Sequence, residues 1–156
     1  MRLVFSGKGP AVPPPPPQPR ELIDVLGVGT TQTVGGVALT LLSIERYQEG
    51  LIALFRMFRA RGLLEREFPS PHLELAVMPV ASVPYRIWMT SGGGGGGMRE
   101  IEYRHSYAIV PAPPDDANEL VIEATKITWE RYRGTGSYPY EVVKVDVGPW
   151  RFRVAG

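Results

Sequence analysis

Two histidines, His72 and His105, are the only imidazoles in this 156-residue sequence, and it contains no cysteine. Without a thiolate, disulfide frameworks, cysteine nucleophiles and thiolate metal sites all drop out together. His72 and Glu74 in "HLE" share one face of an extended chain. A metal site needs further convergent ligands, however, and no second cluster follows, so no metal and no cofactor are expected. Nucleophilic hydrolysis calls for a serine on a Gly-x-Ser-x-Gly elbow with a base in reach, and that motif does not occur. Gly7-Lys8-Gly9 breaks the phosphate-loop pattern, and Gln32 stands where a dinucleotide motif opened by Gly27 and Gly29 requires its third glycine. The glycines 92–97 carry no lysine and lead into no helix, so their amides are not organised around an anion. Asp115 and Asp116 lie in a proline-rich connection and read as solvated surface charge. The chain is therefore expected not to be an enzyme.

Two constellations remain that suit binding. In "REIEYRHSYAIV", an extended chain puts Ile101, Tyr103, His105, Tyr107 and Ile109 on one face. A Tyr, His, Tyr ladder stacks sugars or bases if it is open to water, and with Tyr85 and Trp88 it forms an alternative face for a carbohydrate or nucleotide. The flanking isoleucines argue instead for a core face. In "ERYRGTGSYPYE", Arg131, Tyr132, Tyr138 and Tyr140 surround the adaptable Gly134 and Gly136. Tyrosine and arginine are enriched at interface hot spots, so this loop is the preferred binding site, for a protein partner or a second copy of the chain.

The elements that must hold these residues are short and bounded by Gly, Pro and Asp, as in a sandwich or barrel. Strands are expected at 22–28, 31–34, 37–47, 51–59, 72–78, 85–90, 100–110, 119–127, 140–147 and 150–154. The last two alternate most cleanly: Val143, Val145 and Val147 against Lys144 and Asp146, then Trp150, Phe152 and Val154 against Arg151 and Arg153. Each is expected to bury its apolar side. Over 51–61 the apolar residues Leu51, Leu54, Phe55 and Phe58 also fit a helix, but the glycine of "QEGL" and the strand upstream favour a hairpin. The glycines 92–97, with patterned strand on both sides, are expected to form a mobile hairpin tip that tolerates shortening.

Residues 1–20 differ in composition, with five consecutive prolines, Pro13 to Pro17. Such a run lacks backbone donors and is expected to be an extended spacer of about 3.1 Å per residue. A domain at 21–156 follows it. The formal charge of +1 generates no field toward nucleic acid or an anionic membrane, and Glu65 and Glu67 dilute the basic stretch Arg56, Arg59, Arg61 and Arg66. Neither nucleic acid nor membrane is expected as a partner. The apolar run Leu3 to Phe5 is too short for a signal peptide, so cytoplasmic residence is expected, with export of a longer natural chain left open.

The segments "TVGGVALTLLSIERYQEGLIALFRM", the glycine run, "PAPPDDANELVIEATKITW" and the closing "GPWRFRV" resemble a group of uncharacterised bacterial immunoglobulin-like β-sandwich proteins with a glycine-rich hairpin, over about residues 25–154. The resemblance implies an all-β, immunoglobulin-like antiparallel sandwich behind a proline-rich arm. It supplies no catalytic residues, because the group has no assigned activity. It also departs from many such sandwiches, which are exported, in showing no signal.

Overall fold

Alternating β-branched and aromatic residues, broken by glycine and proline, fold here into strands throughout. The computed structural model describes residues 17–61, 69–97, 99–134 and 139–155. Among them are eight strands and no helix: β1 (Leu22–Val34), β2 (Val37–Tyr47), β3 (Leu51–Ala60), β4 (Ser70–Met78), β5 (Arg86–Gly96), β6 (Glu100–Val110), β7 (Glu119–Tyr132) and β8 (Tyr140–Ala155). They form a five-stranded sheet, β1-β2-β3-β6-β5, and a three-stranded sheet, β4-β7-β8, with every pairing antiparallel.

The two sheets bury their facing sides against each other as a β-sandwich. Leu39, Leu41, Ile44, Phe55 and Met57 from the larger sheet and Ile122, Ile127, Trp129, Trp150 and Phe152 from the smaller one are all fully buried. Edge-on aromatic contacts bridge the layers, Phe55 to Phe152 at 5.9 Å and Tyr103 to Trp129 at 6.2 Å between ring centroids. Two hydrogen bonds do the same: Trp150 Nε1 donates to the Val37 carbonyl at 3.0 Å, and the Leu73 amide donates to the Tyr107 hydroxyl at 2.9 Å. Each satisfies a polar group that burial would otherwise leave costly.

The segment that also fits a helix is β3, paired on both sides by β2 and β6. Its inward positions, Phe55 and Met57, and its outward ones, Leu54 and Phe58, are all apolar, which is why a helical stripe is visible in the sequence. The stretches 22–28 and 31–34 are one strand, continuous through a bulge between Gly27 and Thr30, where Gly29 has φ +67. Gly35 and Gly36, with φ of +58 and +81, make the two-residue turn from β1 into β2.

Two expectations are corrected. The stretches 140–147 and 150–154 are also a single strand, and from Lys144 onward one alternation runs through both. Over that length even positions turn inward and carry Trp150, Phe152 and Val154, while Val145 and Val147 fall on the outer face with Arg151 and Arg153; a bulge at Val143, opposite the Trp129–Glu130 step, shifts the phase so that Tyr140, Val142 and Val143 are all exposed. Val143, Val145 and Val147 are 44%, 49% and 72% exposed rather than buried. The glycine run, likewise, is not a hairpin tip. Gly92 to Gly96 continue β5 and pair residue by residue with β6, from Gly92 opposite His105 to Gly96 opposite Ile101, and the chain reverses only beyond them. The Gly97 amide donates to the Glu100 carbonyl at 3.0 Å. The rings of Tyr103 and His105 occupy the space that side chains at 94 and 92 would need, so neighbouring aromatics fill what the glycines leave.

Residues 17–20 carry no regular structure, and the rest of the proline-rich arm, with Gly62, Arg66, Gly136 and Tyr138, lies outside the described residues. No helix long and apolar enough to cross a membrane occurs among the described residues.

Candidate functional site at the β7–β8 tip

Strands β7 and β8 pair out to Tyr132 opposite Tyr140. The Arg133 amide donates to the Pro139 carbonyl at 2.6 Å, and Gly134 follows with φ +74, a left-handed conformation that suits glycine. At this end the two tyrosines stack edge to face at 5.6 Å, 67% and 47% exposed. Their amphipathic rings present apolar area to solvent at little conformational cost.

Beside them, Arg131 and Arg133 converge on one carboxylate. Arg131 Nε lies 2.7 Å and Arg133 Nε 2.6 Å from Glu141 Oε2. The hydrogen bond from Arg131, reinforced by Arg133, holds the Glu141 carboxyl below the usual carboxylate range. Two guanidinium groups thus share one carboxylate next to the aromatic pair. Exposed tyrosine and arginine side chains are the types enriched at interface hot spots. Three of the four sequence-derived residues, Arg131, Tyr132 and Tyr140, are brought together here.

The aromatic ladder sits elsewhere. Tyr103, His105 and Tyr107 are 6%, 4% and 1% exposed, at the centre of the sandwich and not on an open platform. Tyr103 packs on Trp129, and His72 and His105 both pack on the Tyr107 ring at 6.4 Å. Desolvation lowers the proton affinity of His105 below its ordinary value, and the nearby His72 acts in the same direction; the buried Nδ1 of His105 has no hydrogen-bond partner among the described residues. Burial pushes the Tyr107 hydroxyl up to about 12. Half-buried Tyr85 donates to the Pro79 carbonyl at 2.6 Å. Half-buried Trp88 lines a cleft of about 340 Å³ with His72, Glu74 and Ile87. No group of three or more potential metal ligands forms among the described residues.

A second cleft, of about 350 Å³, lies at the other end of the sandwich. Ile44, Leu51, Leu120 and Val154 line it, together with Arg46, Tyr47 and Asp115. Arg46 is held there by a two-point ion pair with Asp24, one arm of which is 2.6 Å. Its lining comes from β1, β2, β3, β7, β8 and the connection after β6, a convergence with no local signal in the sequence.

No family model matches the chain, and no curated protein does. Among solved structures it is similar to the crystal structure of a conserved domain protein from Bacillus anthracis, with a TM-score of 0.56 and 14% identity. The match covers 85% of this chain and 48% of that one, so the chain spans about half its length. At this identity the likeness is one of fold alone.

Proposed function

We propose that this is an immunoglobulin-like β-sandwich acting as a non-enzymatic interaction or accessory module in the cytoplasm, which contacts a protein partner or a second copy of itself through the β7–β8 tip. Strand order supports the fold reading. With β1 set aside, β2-β3-β6-β5 and β4-β7-β8 follow the A-B-E-D and C-F-G order of a constant-type immunoglobulin sandwich, and β1 adds a strand at the A edge. The observation that carries the functional reading is the solvent-facing Tyr132 and Tyr140 pair flanked by the Arg131, Arg133 and Glu141 cluster. The closure of Tyr103, His105 and Tyr107 to water favours this over a carbohydrate or nucleotide face.

The test replaces Tyr132 and Tyr140 together by serine and compares both proteins in affinity purification from source cells, followed by reconstitution with the purified partner. Loss of two exposed hot-spot tyrosines is expected to weaken the complex by about tenfold or more, with the far-ultraviolet spectrum unchanged. Undiminished association, both there and in sedimentation, rules out the tip.

A further inference from the structure

Strand β8 is hydrogen-bonded to β7 on one side and has no strand partner on the other among the described residues. Its C-terminal end is approached by β1, where Ile23 and Leu26 share a cleft with Val154 and Ala155. Farther toward the tip, the segment 144–147, bounded by a bulge at Val143, presents an unpaired backbone edge beneath exposed Val145 and Val147, with Val143 exposed at the bulge. An edge strand with such a face is a template for another strand, and natural edges are usually blunted by charge or proline. Lys144 sits on this edge, yet it does not stand alone: its Nζ lies 3.4 Å from Asp146 Oδ1.

The order Val143-Lys144-Val145-Asp146-Val147 is complementary to itself when reversed. We infer that a second copy of this chain pairs antiparallel with β8 about a twofold axis at Val145, joining two three-stranded sheets into one of six. In that register Val145 faces the partner's Val145, Val143 faces the partner's Val147, and Lys144 faces the partner's Asp146. The outer face becomes a continuous valine patch, and the inner face carries two cross-strand pairs of opposite charge.

Neighbouring registers fail on the same residues. A shift of one residue sets inward positions against outward ones. A shift of two sets Lys144 against Lys144, or Asp146 against Asp146. Pro149 has no amide to donate, so it ends the ladder on that side. Asp146 is also fixed in place, since Trp129 Nε1 donates to its Oδ2 at 2.7 Å.

The absence of native cysteine makes the register directly readable. Directly opposite residues have Cβ atoms about 4.5 to 5.5 Å apart, close to the span of a disulfide. Under mild oxidation, Val145→Cys is expected to give a covalent dimer. Val143→Cys and Val147→Cys are each expected to cross-link poorly alone and readily when mixed. In sedimentation velocity the unmodified chain is expected to dimerise with rising concentration, and Val145→Lys to weaken the dimer by about tenfold or more by opposing two lysines. Circular dichroism on each variant keeps folding separate from association.

A chain that stays monomeric across the concentration range overturns the inference. So does self-cross-linking of Val143→Cys as fast as that of Val145→Cys. The inference concerns a different stretch of the hairpin from the tip, so Tyr132→Ser with Tyr140→Ser should leave this dimer intact. A dimer lost in that variant but kept in Val145→Lys would refute strand pairing while supporting the tip.

Discussion

Replacing Gly94 by alanine places a methyl group where β6 already stands: its ideal Cβ lies 2.6 Å from Tyr103 Cδ1 and closer still to the Glu102 carbonyl oxygen. Neither can yield cheaply, because Tyr103 is buried and the carbonyl belongs to the paired neighbour strand. One residue further, the Cβ of an alanine at Gly95 meets nothing within 4 Å. Neither glycine has a positive φ, so alanine suits both backbones. Each substitution therefore gains the same unfolded-state term, about 0.4 to 1 kcal/mol, and only Gly94→Ala adds an overpacking cost of about 1 to 3 kcal/mol. The difference between the two variants isolates the clash. In urea unfolding at a typical slope, it separates the midpoints by roughly 1 M, with Gly95→Ala at or above the parent and Gly94→Ala below it. The same contrast holds for Gly92, whose Cβ would lie 2.8 Å from His105 Cδ2, against Gly93, which is open. Coincident midpoints for Gly94→Ala and Gly95→Ala would refute the claim that this run is an ordered strand packed under aromatic rings.

Two further perturbations probe the core. His105 binds its proton less readily folded than unfolded, so its contribution to stability is complete above about pH 6.5 and declines as the pH falls below that value toward its folded pKa. The urea midpoint should thus drop between about pH 7.5 and 5.5, with a shallower drop in His105→Leu; equal slopes would contradict a buried neutral imidazole. Trp150→Phe removes the donor to the Val37 carbonyl between the sheets and is expected to cost about 1 to 3 kcal/mol in the same unfolding measurement at neutral pH.

Strands β2 and β6 were legible in the sequence to the residue, because regular alternation there ends at glycine, proline or charged turns. β3 was ambiguous for the opposite reason: Leu54 and Phe58 on its outer face are apolar like the inward Phe55 and Met57, so the polar side that would reveal its period is reduced to Arg56. The extents of β5 and β8 are not legible in the sequence, because the glycines and the Gly148-Pro149 step look like breaks. In the fold they are spanned by pairing to β6 and β7, a tertiary effect that no local pattern records. That Arg131, Tyr132 and Tyr140 lie near one another was legible because they are close in the chain and belong to one hairpin, with Tyr132 opposite Tyr140. The cleft lined by Arg46 and Asp115 was not legible, since its walls come from distant segments.

The glycine strand also gives β5 a property that side-chain-bearing strands lack. A run of identical residues is indistinguishable from itself after sliding by one step, so nothing between Gly92 and Gly96 records the alignment of β5 on β6. That information resides upstream, where half-buried Ile87 and Trp88 stand opposite Ile109 and Ala108. Those two side chains act as the index mark, and the glycines act as an unmarked ruler whose divisions are interchangeable. Gain or loss of a single glycine would leave the same sheet with the same sequence in it, and the change in length would emerge only beyond Gly96, in the turn toward Glu100.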